Sequence, residues 1–459
     1  MKGESHGEGG RVSESARERP RRWWRPLLEL ALFLVGGIVL LRMDPFGFSR
    51  LTKIYSQDLL AVAMAGCYPD APAGPCAKHG RAATAVVLVD DTDLAAFHEP
   101  WPPRYGFHAR VLKAIRANKP KALVIDIVFE DVRDDASIAA LAAELERYRA
   151  DGIPVYAATF ALDRPLRPEV AARVTPVQVP KKIDPLDRET RFYDLTSGAP
   201  QSQLTAVPLV FRDLCGGCAG PGDCADGTVR VFWSTVPPQS WNDRWLACRR
   251  RPPFPWWIVQ DRGSDFRENC PSTPTIPAKI LLDPSEDEDV QLEDILAGSV
   301  VFYGAYFRGA ADAMNTPLHN DLPAVFLHSV TFDNLVTLGP AALRHNEPQV
   351  PWLGVSLPDF VLLCVIGAFF IGRRSSHRLE ERWQATMRRV RSRVGRVVLI
   401  ALGSQIGMLL LLAGTAAFVA CQIGISEWLL GANFLFAITW TEVLDIAEKL
   451  FEAADEFEP

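Results

Sequence analysis

The sequence predicts an α/β extracytoplasmic domain with a parallel sheet, plus α-helical transmembrane segments, one before the domain and three after it. Three observations predict this. Buried-strand runs alternate with helical patterns between residues 84 and 158, which calls for parallel strands joined by right-handed crossovers. Strongly apolar blocks occupy both ends of a chain whose 459 residues exceed one ordinary soluble domain. Arginines cluster beside those blocks instead of being spread evenly. The formal net charge of −6 argues against a nucleic-acid binder, whose domains are usually basic.

Residues 1–25 are polar and Gly/Ser/Glu/Arg-rich, with too few apolar side chains to fold, so a disordered cytoplasmic arm is expected. Arg17, Arg19, Arg21, Arg22 and Arg25, beside Trp23 and Trp24, lead into an apolar run assigned to a transmembrane helix over 26–42. The arginines keep the N-terminus cytoplasmic, and the tryptophans suit the interface. Leu41-Arg42-Met43-Asp44-Pro45 is a poor signal-peptidase site, which favours an uncleaved anchor.

The extracytoplasmic domain spans residues 43–350. Residues 50–64 read as a helix leaving the membrane. TAVVLV (84–89) reads as a buried strand, 105–117 as a helix, ALVIDI (122–127) as a second strand, 136–150 as a helix and 153–158 as a third strand. Another strand, 299–303, breaks at Gly304, and a final helix starts at Leu322. In open α/β sheets ligands bind beyond the carboxyl ends of the strands. Asp90, Asp91, Asp126 and the loop with Arg308 and Asp312 fall there, and Trp101, Arg104 and His108 are placed over the same rim. One reading is a pocket for a small ligand or a cation. The other is structural: Asp90 and Asp91 turn the chain or cap a helix, and Arg308 pairs with Asp312 locally. His328 reads as an interior or capping histidine.

VVLVDDTDL (86–94), WPPR (101–104), His108, PKALVIDIVFED (120–131), GAYFRGAADAMNTPL (304–318) and LPAVFLHSVTFDNLVTLG (322–339) occur in that order. The ordered set resembles the type-two CHASE domain, a family of sensory extracellular domains associated with cyclases and histidine kinases. One helix before the domain and three after it are similar to that family too, while the middle does not match. The resemblance implies a bacterial receptor that senses something outside the cell and changes the packing of its membrane helices. It supplies no ligand.

That middle, about residues 181–283, is a Cys/Trp-rich insertion. Cys67, Cys76, Cys215, Cys218, Cys224, Cys248 and Cys270 lie on the outer side, where an oxidising compartment favours disulfides. Cys67–Cys76 and Cys248–Cys270 are natural pairs, and two of Cys215, Cys218 and Cys224 form a third, leaving one thiol over. The three clustered cysteines lack a nearby fourth zinc ligand, so neither metal nor cofactor is expected. Trp233, Trp241, Trp245, Trp256 and Trp257, interleaved with arginines, either build a small core of their own or form an interface.

After the domain, apolar runs predict transmembrane helices over 352–372, 397–423 and 425–443, and 444–459 is a short acidic tail. The loop 373–396 carries nine arginines and belongs in the cytoplasm. It acts as a topology signal, and binding to acidic lipid or to a partner is a further reading. About 15 residues follow the last run, too few for an output domain. No nucleotide loop or nucleophile elbow appears, and no enzyme is expected. The expected protein is an inner-membrane, multi-pass receptor with both termini cytoplasmic. It contacts membrane lipid and relays an extracytoplasmic cue to a separately encoded cytoplasmic effector. A non-switching structural or anchoring subunit of an envelope complex is the alternative. The Gly403–Gly407 spacing is compatible with a homodimer or a larger membrane complex.

Overall fold

The computed structural model describes residues 25–44, 47–64, 84–160, 165–197, 203–218, 227–234, 245, 270–307, 312–343, 349–374, 433, 435, 436, 439 and 440. Helices α1 (Arg25–Met43) and α2 (Phe48–Met64) precede the domain. Then come β1 (Thr84–Asp90), α3 (Asp91–Ala96), α4 (Tyr105–Ala117), β2 (Ala122–Ile125), α5 (Ile138–Ala150), β3 (Val155–Thr159), α6 (Pro168–Ala171) and β4 (Thr175–Gln178). The insertion supplies β5 (Phe192–Asp194), α7 (Ala206–Cys215), β6 (Thr228–Arg230), β7 (Thr275–Pro277) and α8 (Ala278–Leu282). It is followed by α9 (Glu286–Leu296), β8 (Val300–Tyr306), β9 (Ala313–Met314), β10 (Leu322–Pro323), α10 (Val325–Leu343) and α11 (Leu357–Arg374).

Six strands form one sheet in the order β4-β3-β2-β8-β1-β7, every pair parallel. β8 enters last and lies between β1 and β2, pairing Val86 with Phe302 and Val124 with Phe302. Such a strand is covered on both faces, which is why VVFY is apolar without alternation. Side chains alternate between the faces. Val86, Val124, Val300 and Phe302 enter one core, with α7 and α10. Val87, Leu123, Val301 and Tyr303 enter the other, with α4, α5, α8 and α9. The edges fall to short strands that carry proline, Pro176 in β4 and Pro277 in β7, residues that suit a strand with one unpaired side.

Several sequence expectations need correcting. Gly304 does not break its strand; β8 runs on to Tyr306. A Cβ at Gly304 would lie 2.6 Å from Val325 Cβ, so glycine is needed because α10 approaches the strand there. Residues 322 and 323 pair with β9, and the helix begins at Val325. The insertion is woven into the domain: β7 pairs with β1, and Trp233 is 1% exposed in the core shared by α7 and α10. Trp241, Trp256 and Trp257 lie outside the described residues.

Helix α2 is tied to the domain by charge. The Arg191 guanidinium is buried and bonds Asp58 of α2 from Nε (2.9 and 3.1 Å) and from NH2 (2.6 Å). NH2 also reaches Asp187 at 2.5 Å and Glu189 at 2.6 Å. Burial opposes the charge, but the bonds to Asp187 and Asp58 override it and push the Arg191 pKa up. Arg230 adds bonds to Gln57 and, at 3.5 Å, to Asp58.

Of the predicted spans, 26–42 falls in α1 and 352–372 overlaps α11. Residues 397–423 lie outside the described residues, as do most of 425–443. Among the described residues no single helix is long and apolar enough to cross a membrane. Leu30–Met43 and Phe48–Asp58 pass the same test together, bent by 94°. α1 packs on α11 through Phe33, Leu363 and Ile366, and Phe436 joins them.

Gly304→Ala is expected to cost about 1–3 kcal/mol of stability through overpacking, measured by denaturant unfolding. Val325→Ala in the same chain should recover most of that loss.

Candidate functional site

The carboxyl rim of the sheet holds most of the candidate residues, and the structure sorts them. Asp90 ends β1 and caps α3: its side chain accepts from the Thr92 and Asp93 amides, and the Asp93 carboxylate accepts from the Asp90 amide. Asp91 is exposed on the first turn of α3. Burial lifts the Asp93 carboxyl to about 6. Trp101, 62% exposed, stacks on Phe307 at 4.0 Å, and Arg104 is exposed at the start of α4. Arg308 lies outside the described residues. His108 does not reach the rim. It is buried beneath the sheet, 2.7 Å from the Tyr303 hydroxyl, and burial pulls its pKa down to about 3.

Asp126 and Asp312 do come into one neighbourhood. Asp126 directly follows β2, and its amide donates to the Tyr303 carbonyl at 2.8 Å. The alternation of β2 turns its side chain toward α10, where His328 occupies the first turn. His328 Nε2 lies 3.7 Å from Asp126 Oδ2, and both side chains are buried. The Tyr193 ring meets the imidazole edge-on at 5.6 Å. His328 Nδ1 is buried without a hydrogen-bond partner. Above the pair, Lys181 Nζ donates to the Ala313 carbonyl at 2.9 Å and lies 4.0 Å from a half-exposed Asp312.

These groups share one electrostatic condition. Burial first, and the charge of Asp312 second, push the Asp126 carboxyl well above its ordinary range, with Lys181 pulling the other way. Burial, then Lys181, lowers His328 to about 3. Burial also raises Asp312, against Lys181. The result at neutral pH is a pair of buried, uncharged polar groups that can gain or lose a proton or accept a polar ligand.

Lys181, Tyr193 and His328 were not among the predicted site residues. Lys181 and Tyr193 sit in the insertion, where no local pattern marks them. His328 interrupts an otherwise apolar helix, and that interruption was the available signal. In the insertion, Cys215, Cys218 and Cys270 are disulfide-bonded. Cys67, Cys76, Cys224 and Cys248 lie outside the described residues.

A parallel α/β domain set between apolar helices, with uncharged ionisable groups at its carboxyl rim, has the makings of a sensory domain. A family model described as CHASE2 domain matches residues 30–373, and the chain belongs to that family. CHASE2 domains are extracellular sensor domains of membrane proteins, sensory and not catalytic. No curated protein and no solved structure matches the chain.

An Asp carboxyl of the unfolded chain titrates near 3.8, and the folded Asp126 holds its proton to higher pH. Its contribution to stability is therefore complete below the unfolded value and lost as pH rises toward the folded one. Asp126→Asn removes that loss. The stability of the variant relative to the wild type is expected to rise between about pH 4 and about pH 8, measured by paired denaturant titrations. A difference that does not change with pH would show that the carboxyl is not held in its protonated form.

Proposed function

We propose that this protein is an integral membrane receptor. Its CHASE2 domain reads an extracytoplasmic cue at the carboxyl rim around Asp126 and His328 and relays it through its helices to a cytoplasmic effector protein. One observation carries the reading. The helix that presents His328 to the rim, α10, is also the last helix of the domain before the chain reaches α11.

α10 runs back against β8. Val325 meets Gly304 near the strand's carboxyl end, whereas Phe332 stacks on Phe302, nearer its start. The side chain of Asn334 then clasps the backbone of Phe232, accepting from its amide at 2.6 Å and donating to its carbonyl at 3.2 Å. A change at His328 is thus made on a helix whose far end points toward the tethers. A buried element of this kind responds by shifting as a unit, because close-packed interiors do not deform continuously.

The membrane setting is supported by the surface of the tethers. Leu32, Val35, Val39 and Met43 of α1 are 63%, 59%, 44% and 75% exposed, and Val361 and Val365 of α11 are 43% and 50% exposed. Lipid satisfies such a face; water does not. The arginine-rich loop 373–396 supports a cytoplasmic position for the end of α11 by the positive-inside rule. The disulfide-bonded cysteines fit an oxidising outer compartment.

A compartment-sensitive reporter fused after residue 343 is expected to be active only outside the cytoplasm, and the same reporter fused after residue 396 only inside it. Activity of both fusions in one compartment overturns the receptor reading.

A further inference from the structure

We propose that α2 is a conformational joint, held on opposite faces by two separate polar networks, through which the domain sets the packing of the membrane helices. The inference rests on the receptor reading for its orientation and on the geometry of α2 for its substance.

The first face is the one Arg191 and Arg230 hold, through Asp58 and Gln57. The second faces Asn433. Ser49, Thr52 and Ser56 are spaced three and four residues apart and so share one side of the helix. Asp58 is two residues beyond Ser56, roughly 200° further round at about 100° per residue. The two networks therefore grip nearly opposite sides.

Asn433 is 1% exposed and uses the whole capacity of its side chain. Its Nδ2 donates to the Ser49 carbonyl at 2.9 Å and to Thr52 Oγ1 at 3.0 Å. Its Oδ1 accepts from the Phe436 amide at 3.1 Å and from Ser56 Oγ at 3.4 Å. Its backbone amide donates to Asp359 Oδ1 of α11 at 2.9 Å. Ser56 Oγ in turn accepts from the Leu435 amide at 2.8 Å, and Lys53 lies 4.0 Å from Asp359. One asparagine thus joins α2 to α11 and to the helical residues Leu435 and Phe436.

A buried network with every member satisfied has no cheap intermediate, because each partly broken arrangement leaves a polar group without water or partner. Rotation or sliding of α2 at Asp58 cannot be absorbed gradually at Asn433. Either the joint holds and the domain's movement reaches α11, or several bonds give way together. That is the behaviour of a two-state element.

The test is hydrogen–deuterium exchange of the full-length protein in lipid nanodiscs. Asn433→Ala and Ser56→Ala are each expected to speed exchange at residues 228–234 by about fivefold or more, the usual lower range for coupled sites. Asp58→Asn is expected to do the same at residues 359–363. Tyr55→Ala, at a position 55% exposed, should leave both stretches at wild-type rates. If Asn433→Ala lacks protection throughout, Ser56→Ala decides. Loosening confined to residues 49–58 and 433–436, with 228–234 unchanged, overturns the proposal. Exchange rates do not depend on which side of the bilayer the domain occupies, so this result and the reporter result fail independently.

Discussion

Placing β8 between β1 and β2 means that every side chain on three adjacent strands must be covered, whichever face it points to. Val86, Val124 and Phe302 need α10 and α7 above them; Val87, Leu123 and Val301 need α4 and α5 below. α10 therefore has to lie flat against β8, and Gly304 is the point at which backbone meets helix without a Cβ between them. The position of His328 follows from that contact. It lies one turn after Val325, at the level where β2 ends and Asp126 begins, so burying the central strand also places the candidate site.

The protein buries ionisable groups in two opposite ways. Around Arg191, Asp58, Asp187 and Glu189 offer the geometry of a cation site. The guanidinium NH2 bonds all three at 2.5–2.6 Å and fills the cation's place. Charge meets charge there, and the ions persist because the bonds exceed what burial costs. Asp126 and His328 have no such compensation within contact. Their nearest fixed cation, Lys181, is turned to the Ala313 carbonyl and to Asp312. Burial then wins and both stay neutral. The first arrangement is rigid, whereas the second is sensitive to any added charge, as a sensing element needs to be.

Much of the sheet could be read from the chain alone, for a physical reason. Strands buried on both faces must be apolar throughout, so TAVVLV and VVFY announce themselves, as does the spacing of Phe107, Val111, Leu112 and Ile115 in α4. The edge strands carry no such mark. β4 is TPVQ and β7 is TIP, short and proline-bearing, and tertiary pairing alone makes them strands. The site divides in the same way. Asp126 could be placed because it follows a recognisable strand. Lys181 and Tyr193 reach it from an insertion whose course depends on contacts distant in sequence. His108 was misplaced because position at a helix start does not say which face is buried, and the bond to Tyr303 settles that.

Helix α2 brings these strands of argument together. Its 17 residues include Ser49, Arg50, Thr52, Lys53, Ser56, Gln57 and Asp58, too polar a set to be held by apolar packing alone. A helix of that length is marginal by itself in water. It stands at 94° to α1 because Asp44 begins it afresh, accepting from the Ser49 amide at 2.5 Å. Its placement is then decided by what holds its sides: arginines of the domain on one, Asn433 and Asp359 on the other. A helix with little packing of its own and two strong attachments takes its position from both bodies at once. Neither attachment can therefore move without consequence for the other.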